Sequence, residues 1–94
     1  MCGIVGVLSK EDSIPTVIDG LDSLKYRGYD SAGIAFINSK NIGSYKSIGK
    51  IFNLKKKYYS NIEKSNIVIG HTRWATHGKP SNKNSHPFIK KNCA

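Results

Sequence analysis

Apolar positions along the chain follow two rhythms. The run Ile4-Val5-Gly6-Val7-Leu8 is unbroken and predicts a buried strand over residues 2–9. Ile14, Val17, Ile18, Leu21 and Leu24 then recur at the spacing of one helical face. Asp12 or Ser13 suits the cap of that helix, Pro15 its first turn and Gly28 its stop. Gly20 costs a helix stability relative to Ala, so its place here marks a close approach to a sheet. Ile34 to Ile37 predicts a second strand, Asn38 to Asn41 a turn, and Ile42 to Ile48 a weaker third strand completing a hairpin. Ile51, Leu54, Tyr58 and Ile62 outline a second helix after Gly49. Ile67-Val68-Ile69 predicts a fourth, buried strand over 66–70, and Phe88-Ile89 can open another.

Strand, helix, hairpin, helix, strand describes an α/β sandwich whose sheets carry helices on their outer faces. The hairpin and the strand at 66–70 are expected to present edges that nothing covers, the mark of an unfinished fold. With 94 residues there is room for one modest domain, which buries only about two-thirds of its unfolded surface. No apolar run approaches the roughly 18–20 residues of a membrane span. No basic segment precedes the first apolar run, so a signal peptide is not expected. A cytoplasmic location is the default, with no membrane partner and with Cys2 and Cys93 reduced.

Charge changes this picture little. The net +9 comes from thirteen Lys and two Arg against six acids, and Lys, Asn and Ile make up 33 of the 94 residues. That is a bias spread along the whole chain, whereas a nucleic-acid patch concentrates Arg and interleaves aromatics. Lys55-Lys56-Lys57 before Tyr58-Tyr59 is the best such candidate, and a solvated helix face is the preferred reading of it. Arg27 and Arg73 say more. In a chain that uses Lys for nearly every cation, they stand where a planar, bidentate fork is needed.

Candidate chemistry gathers at three places. If Met1 is trimmed, Cys2 carries a thiol and a free α-amine on one residue, with unperturbed values of about 8.5 and about 7.7–8.0. Such an amine can take the thiol proton, as in N-terminal nucleophile catalysis, and Gly3 removes a side chain where a substrate approaches. The plain alternative is a small hydrophobic Cys opening a strand. Tyr26 to Gly33 forms a loop dense in polar and aromatic groups. His71 to Pro87 is a long loop holding all three histidines, the only Trp and two of the three prolines. There Arg73 offers a fork for a carboxylate, Thr76 and the amides around Gly78 add donors, and Trp74 supplies a rigid wall. Together these describe a pocket for a small anion such as an amino acid. Two other readings stay open. Zinc on His71, His77 and His86 has spacings that match no standard signature. A Cys/His pair with His77 or His86 as base lacks an identifiable orienting group.

Three stretches carry a family resemblance: Met1-Cys2-Gly3-Ile4-Val5-Gly6, Tyr26-Arg27-Gly28-Tyr29-Asp30-Ser31-Ala32-Gly33, and His71-Thr72-Arg73-Trp74-Ala75-Thr76-His77-Gly78. In this order they resemble the class II glutamine amidotransferases, from Cys2 to about Ile89, and within them the branch that aminates a sugar phosphate. The amidophosphoribosyltransferases and asparagine synthetases share the opening Cys and Gly but differ in the other two motifs. The resemblance implies an α+β fold, the N-terminal nucleophile hydrolase αββα sandwich, here incomplete. Residues 1–94 would be the N-terminal part of its glutamine amidotransferase domain.

The resemblance also implies roles. The Cys2 thiolate would attack the side-chain amide of L-glutamine, and its own α-amine would relay the proton to departing ammonia. Arg73 would bind the α-carboxylate, with Thr76 and His77 beside it. Trp74 would sit at the gate to an ammonia channel. Arg27 and Tyr29 would pack behind the nucleophile, and His86 would have a structural role. In the full enzyme, a homodimer, the ammonia would convert fructose 6-phosphate to glucosamine 6-phosphate at a separate isomerase domain. No metal or organic cofactor and no nucleic acid is implied. The family's oxyanion Asn-Gly pair and the carboxylate that reads the glutamine α-amine have no counterpart in the 94 residues. Loss of a single oxyanion donor costs about 10²–10³ in rate, so a fragment without useful glutaminase activity is expected. Two other function classes remain beside this one: a stand-alone basic nucleic-acid module, and a small interaction domain pairing through its exposed strand edges.

Overall fold

The computed structural model describes residues 2–24, 29–38, 41–61, 63–74, 81, 83, 85–90 and 94. The elements run β1 (Gly3–Leu8), α1 (Ile14–Ser23), β2 (Ser31–Asn38), β3 (Asn41–Ile48), α2 (Ile51–Asn61) and β4 (Ile67–Arg73). All four strands join one antiparallel sheet in the order β1-β4-β2-β3.

The helices form as their spacing predicts. Ile14, Val17, Ile18 and Leu21 are buried on one face of α1, with Pro15 in its first turn and Ser13 at the N-cap. Asp12, not Ser13, supplies the capping oxygen. Its Oδ1 accepts from the Ile14 amide at 3.3 Å and from the Ser65 amide at 3.0 Å, tying the helix start to the approach to β4. Ser13 instead pairs its hydroxyl with that of Ser9 at 2.7 Å. Leu24 is the C-cap; Gly28, the expected stop, lies outside the described residues. Ile51, Leu54 and Tyr58 are buried along α2, and the predicted Ile62 is likewise outside the described residues. The two helices and the sheet face beneath them enclose one core, which includes Ile34, Phe36 and Val68.

Three expectations are corrected. The strand at 66–70 is no edge: β4 lies between β1 and β2, and the edges are β1 and β3. Nor are β1 and β4 buried on both faces. Ile4 and Leu8 are 74% and 78% exposed, and Ile67 and Ile69 are also exposed, because both helices cover only the other face. A continuous apolar run suits either one-sided or two-sided burial, and only the alternation of side chains across the pleat distinguishes them. Two loops are shorter than expected. Ser31-Ala32-Gly33 belongs to β2 and His71-Thr72-Arg73 to β4, the two polar stretches pairing with each other from Ser31↔Arg73 to Gly33↔His71. Phe88 and Ile89 open no strand; Lys90 forms an isolated bridge. Among the described residues no helix is long and apolar enough to cross a membrane.

Helix and sheet approach closely at two glycines. A Cβ on Gly20 would lie 3.1 Å from Cγ1 of Val5, the contact its helical position predicts. One on Gly70 would lie 2.7 Å from Cγ1 of Val17 and 2.9 Å from Cδ1 of Leu21, so α1 rests directly on the β4 backbone. Gly70→Ala is therefore expected to destabilise the chain by about 1–3 kcal/mol through overpacking. Gly6→Ala, whose Cβ would meet nothing nearer than 3.9 Å on the open face, is the control. Urea denaturation should show a lowered midpoint for the first variant only; equal midpoints would contradict this packing.

Candidate functional site

Three strand ends converge at one end of the sheet. Gly3 opens β1 opposite Thr72 of β4, Ala32 of β2 lies opposite the same Thr72, and Ser31 lies opposite Arg73. Cys2, exposed and unpaired with another cysteine, precedes Gly3 at the end where β4 delivers Arg73 and Trp74. Trp74 is half exposed. The fold thus assembles the first and third motifs at one corner, although the 64 residues from 7 to 70 separate them in the chain. Thr76 and His77, expected beside Arg73, and Arg27 of the middle motif lie outside the described residues.

Gly3 has a different reason from the one read in the sequence. Its missing Cβ points toward the helices, where it would come within 2.7 Å of Cδ1 of Leu24 and 3.0 Å of Oγ1 of Thr72. The residue beside Cys2 is small because Leu24 and Thr72 fill the space under it. Thr72 Oγ1 is itself buried without a hydrogen-bond partner among the described residues.

Tyr29 and Asp30 form a bracket from α2 to Arg73. The Tyr29 hydroxyl oxygen accepts the Ile51 amide at 2.7 Å, satisfying a donor at the start of α2. The Asp30 carbonyl accepts the Gly49 amide at 2.8 Å, where Gly49 turns with φ +87°. The Asp30 amide donates to the Arg73 carbonyl at 2.8 Å. Tyr29, expected to pack behind the nucleophile, thus directs its hydroxyl at a helix terminus, while its neighbour Asp30 holds Arg73 through the backbone. No spacing in the sequence signals this, since Tyr29 and Ile51 meet only once β2 and β3 have paired.

On the open face, residues 85–90 cross the sheet. The rings of His71 and His86 stack with centroids 4.4 Å apart, and Phe88 stacks on His86 at 4.3 Å. The His86 carbonyl sits over Gly33, where a Cβ would collide with its oxygen. His86 thus lies between the rings of His71 and Phe88, with its carbonyl against the backbone of Gly33. Burial pushes both imidazoles below the ordinary 6.5; His86 and Arg73 add to this for His71, and Arg73 and Lys46 for His86. Among the described residues no group of three or more His, Cys, Asp or Glu is placed to hold a metal.

Replacing Tyr29 by Phe removes the acceptor for the Ile51 amide. The expected loss is about 0.5–1.5 kcal/mol of stability, with faster amide exchange confined to the first turn of α2. Unchanged exchange at Ile51 would show that the hydroxyl does not hold it.

No family model matches the chain. Individual relatives do. It is 51% identical over 89 residues to the glutamine–fructose-6-phosphate aminotransferase (isomerizing) of Synechocystis sp., an alignment covering 95% of this chain and 14% of that protein. The enzymes of the same name from Clostridium tetani and Methanosarcina acetivorans are 52% and 53% identical over 87 residues, each alignment covering 93% of this chain and 14% of the relative. The chain thus spans about one-seventh of the length of the curated relatives it matches. Among solved structures, the glutamine phosphoribosylpyrophosphate amidotransferase from B. subtilis superposes with a TM-score of 0.77 at 26% identity, over 98% of this chain and 20% of that one. A structure described as the allosteric regulatory enzyme of purine biosynthesis gives 0.75 at 27% identity, over 94% of this chain and 19% of that one. These matches give the described helices and sheet the α+β fold of the N-terminal nucleophile hydrolases. With its motifs, its fold and half of its aligned residues shared, the chain belongs to the class II glutamine amidotransferases, matching the N-terminal region of glutamine–fructose-6-phosphate aminotransferase.

Proposed function

We propose that this chain supplies the nucleophile and the carboxylate anchor of a glutaminase site, in a protein that transfers ammonia from L-glutamine to fructose 6-phosphate. The observation that carries the reading is the strand register, which brings the start of β1 and the end of β4 to one corner. Identity near 50% to the sugar-aminating enzymes, against 26–27% to the two amidotransferase structures, favours fructose 6-phosphate over a phosphoribosyl acceptor.

In this reading Met1 is removed and the α-amine of Cys2 takes the thiol proton. The thiolate attacks the side-chain amide carbon of glutamine, the amine returns the proton to the leaving nitrogen, and ammonia departs. Water then cleaves the thioester to glutamate. Arg73 holds the substrate α-carboxylate as a two-toothed fork, with Thr76 and His77 beside it and Trp74 at the exit for ammonia. Arg27 packs behind the nucleophile, and the bracket through Tyr29 and Asp30 sets the height of the Arg73 backbone. No Asn-Gly pair occurs in the 94 residues, so the oxyanion donors and the group reading the α-amine come from residues outside them. The 94 residues form the N-terminal part of the glutamine-binding domain in a cytoplasmic homodimer, and by themselves release no useful glutamate.

A nucleic-acid role draws less support. Lys55 pairs with Asp22 at 3.8 Å, Lys57 donates to the Lys46 carbonyl and Tyr58 is buried, so three of the five basic and aromatic residues face their own fold.

Two variants in the whole enzyme test the reading. Cys2→Ser should lower glutamine-dependent glutamate release by on the order of 10⁴-fold or more. Arg73→Ala should raise KM for glutamine by about 10–100-fold, the loss of a charge-assisted pair. Glutamate release undiminished in Cys2→Ser, or Met1 still present by intact mass in an active enzyme, would overturn it.

A further inference from the structure

We propose that Ser31 is a positioning residue for the carboxylate anchor: its hydroxyl accepts the Nε–H of Arg73 when the two Nη groups of that side chain take the α-carboxylate of glutamine. This rests on the glutaminase reading, and the closing experiment separates the two.

The strand register places the pair. Ser31 of β2 lies directly opposite Arg73 of β4, and both side chains stand on the face that also carries His71 and Gly33. Directly opposed side chains on antiparallel strands have Cβ atoms about 4.5–5.5 Å apart. A serine hydroxyl stays close to its own strand, so it reaches the near nitrogen of an opposed arginine, Nε. The end-on fork of Nη1 and Nη2 is then left to a carboxylate.

Ser31 is 0% exposed although both helices cover the other face, and its Oγ has no hydrogen-bond partner among the described residues. A hydroxyl kept from water and left unpaired costs stability, so a task in the working site accounts for it. Its surroundings narrow the choice of partner. On β3 the opposed residue is the apolar Ile48. Along β2 the next residue on the same face is Gly33, and Tyr29, two residues before, directs its hydroxyl to the Ile51 amide. Diagonally, His71 is stacked on His86 and Lys46 lies over the Phe88 ring. Of the two directly opposed neighbours, Arg73 is the one with polar side-chain atoms.

Ser47 and Thr72 also carry buried hydroxyls without partners among the described residues, but they flank Ala32 on the helix-covered face, away from the anchor. Ser31 is the one of the three on the side of Arg73. Because that face packs on a second sheet in the αββα sandwich, Ser31 stays buried in the whole fold and acts through Arg73 without touching substrate. An acceptor at Nε fixes the plane of the guanidinium, which lessens the ordering needed when glutamine binds. The effect therefore falls on binding and not on the reacting atoms.

Glutaminase kinetics of the whole enzyme test this. Ser31→Ala should raise KM for glutamine about 3–10-fold, the loss of one ordering hydrogen bond, and leave kcat within about twofold. Ser31→Cys, which fills nearly the same space with a weaker acceptor, should shift KM in the same direction. In an Arg73→Ala background, Ser31→Ala should change KM by less than about 1.5-fold further, because nothing is left to position. Unchanged KM in both Ser31 variants, a fall in kcat without a rise in KM, or the same factor in both backgrounds would overturn the proposal and leave the glutaminase reading intact. Glutamate release undiminished in Cys2→Ser would overturn that reading instead.

Discussion

β4 pairs along both of its edges, with β1 on one side and β2 on the other, and the register of those two ladders decides what every neighbouring side chain meets. Thr72, Gly70 and Val68 face the helices; Arg73, His71, Ile69 and Ile67 face away. A slip of one residue would exchange the two sets, placing His71 under α1 and opening the backbone of Gly70 to solvent. Val17 and Leu21 of α1 exclude that alternative, because no side chain fits between them and the strand. The same register delivers Cys2 and Arg73 to one corner and puts Gly33 under the His86 carbonyl. One steric contact, helix on bare strand, therefore holds together the core, the candidate site and the crossing of residues 85–90 over the sheet.

Local patterns in the sequence carry much of the fold. The spacing of Ile14, Val17, Ile18 and Leu21 states a helix face outright, and Asn38 to Asn41 closes a hairpin whose strands are neighbours in the chain. Gly20 reports its contact with Val5 because a helix interior gives glycine no local purpose. What stays hidden is set by pairing between distant segments. Ser31-Ala32-Gly33 and His71-Thr72-Arg73 are polar enough to read as loops, yet each is the other's partner in the middle of a sheet. The exposure of Ile4 and Leu8 is equally invisible in a run of apolar residues, since it depends on which side the helices take.

For the site, residue identity is legible and placement is not. Cys2 and Arg73 stand out by chemistry alone: a thiol next to the start and a rare guanidinium in a lysine-rich chain. Tyr29 shows the limit. Its motif marks it as important, but only the paired hairpin shows that its hydroxyl serves α2 and that its neighbour Asp30 holds Arg73. The open face, with Ile4, Leu8, Ile37, Ile67 and Ile69 exposed, is the surface that meets a second sheet in an αββα sandwich. Helices on one side and an apolar face on the other are thus the expected form of one half of that architecture.

The register itself is open to direct observation. In the isotopically labelled chain, cross-strand nuclear Overhauser contacts should join Gly3 to Thr72 and Thr72 to Ala32, with Val5 and Ile34 flanking Gly70 in the next row. Contacts displaced by one residue, joining Gly3 to His71 or Ala32 to Arg73, would contradict the account, since Cys2, Arg73 and the histidine stack would then no longer share the arrangement on which it depends.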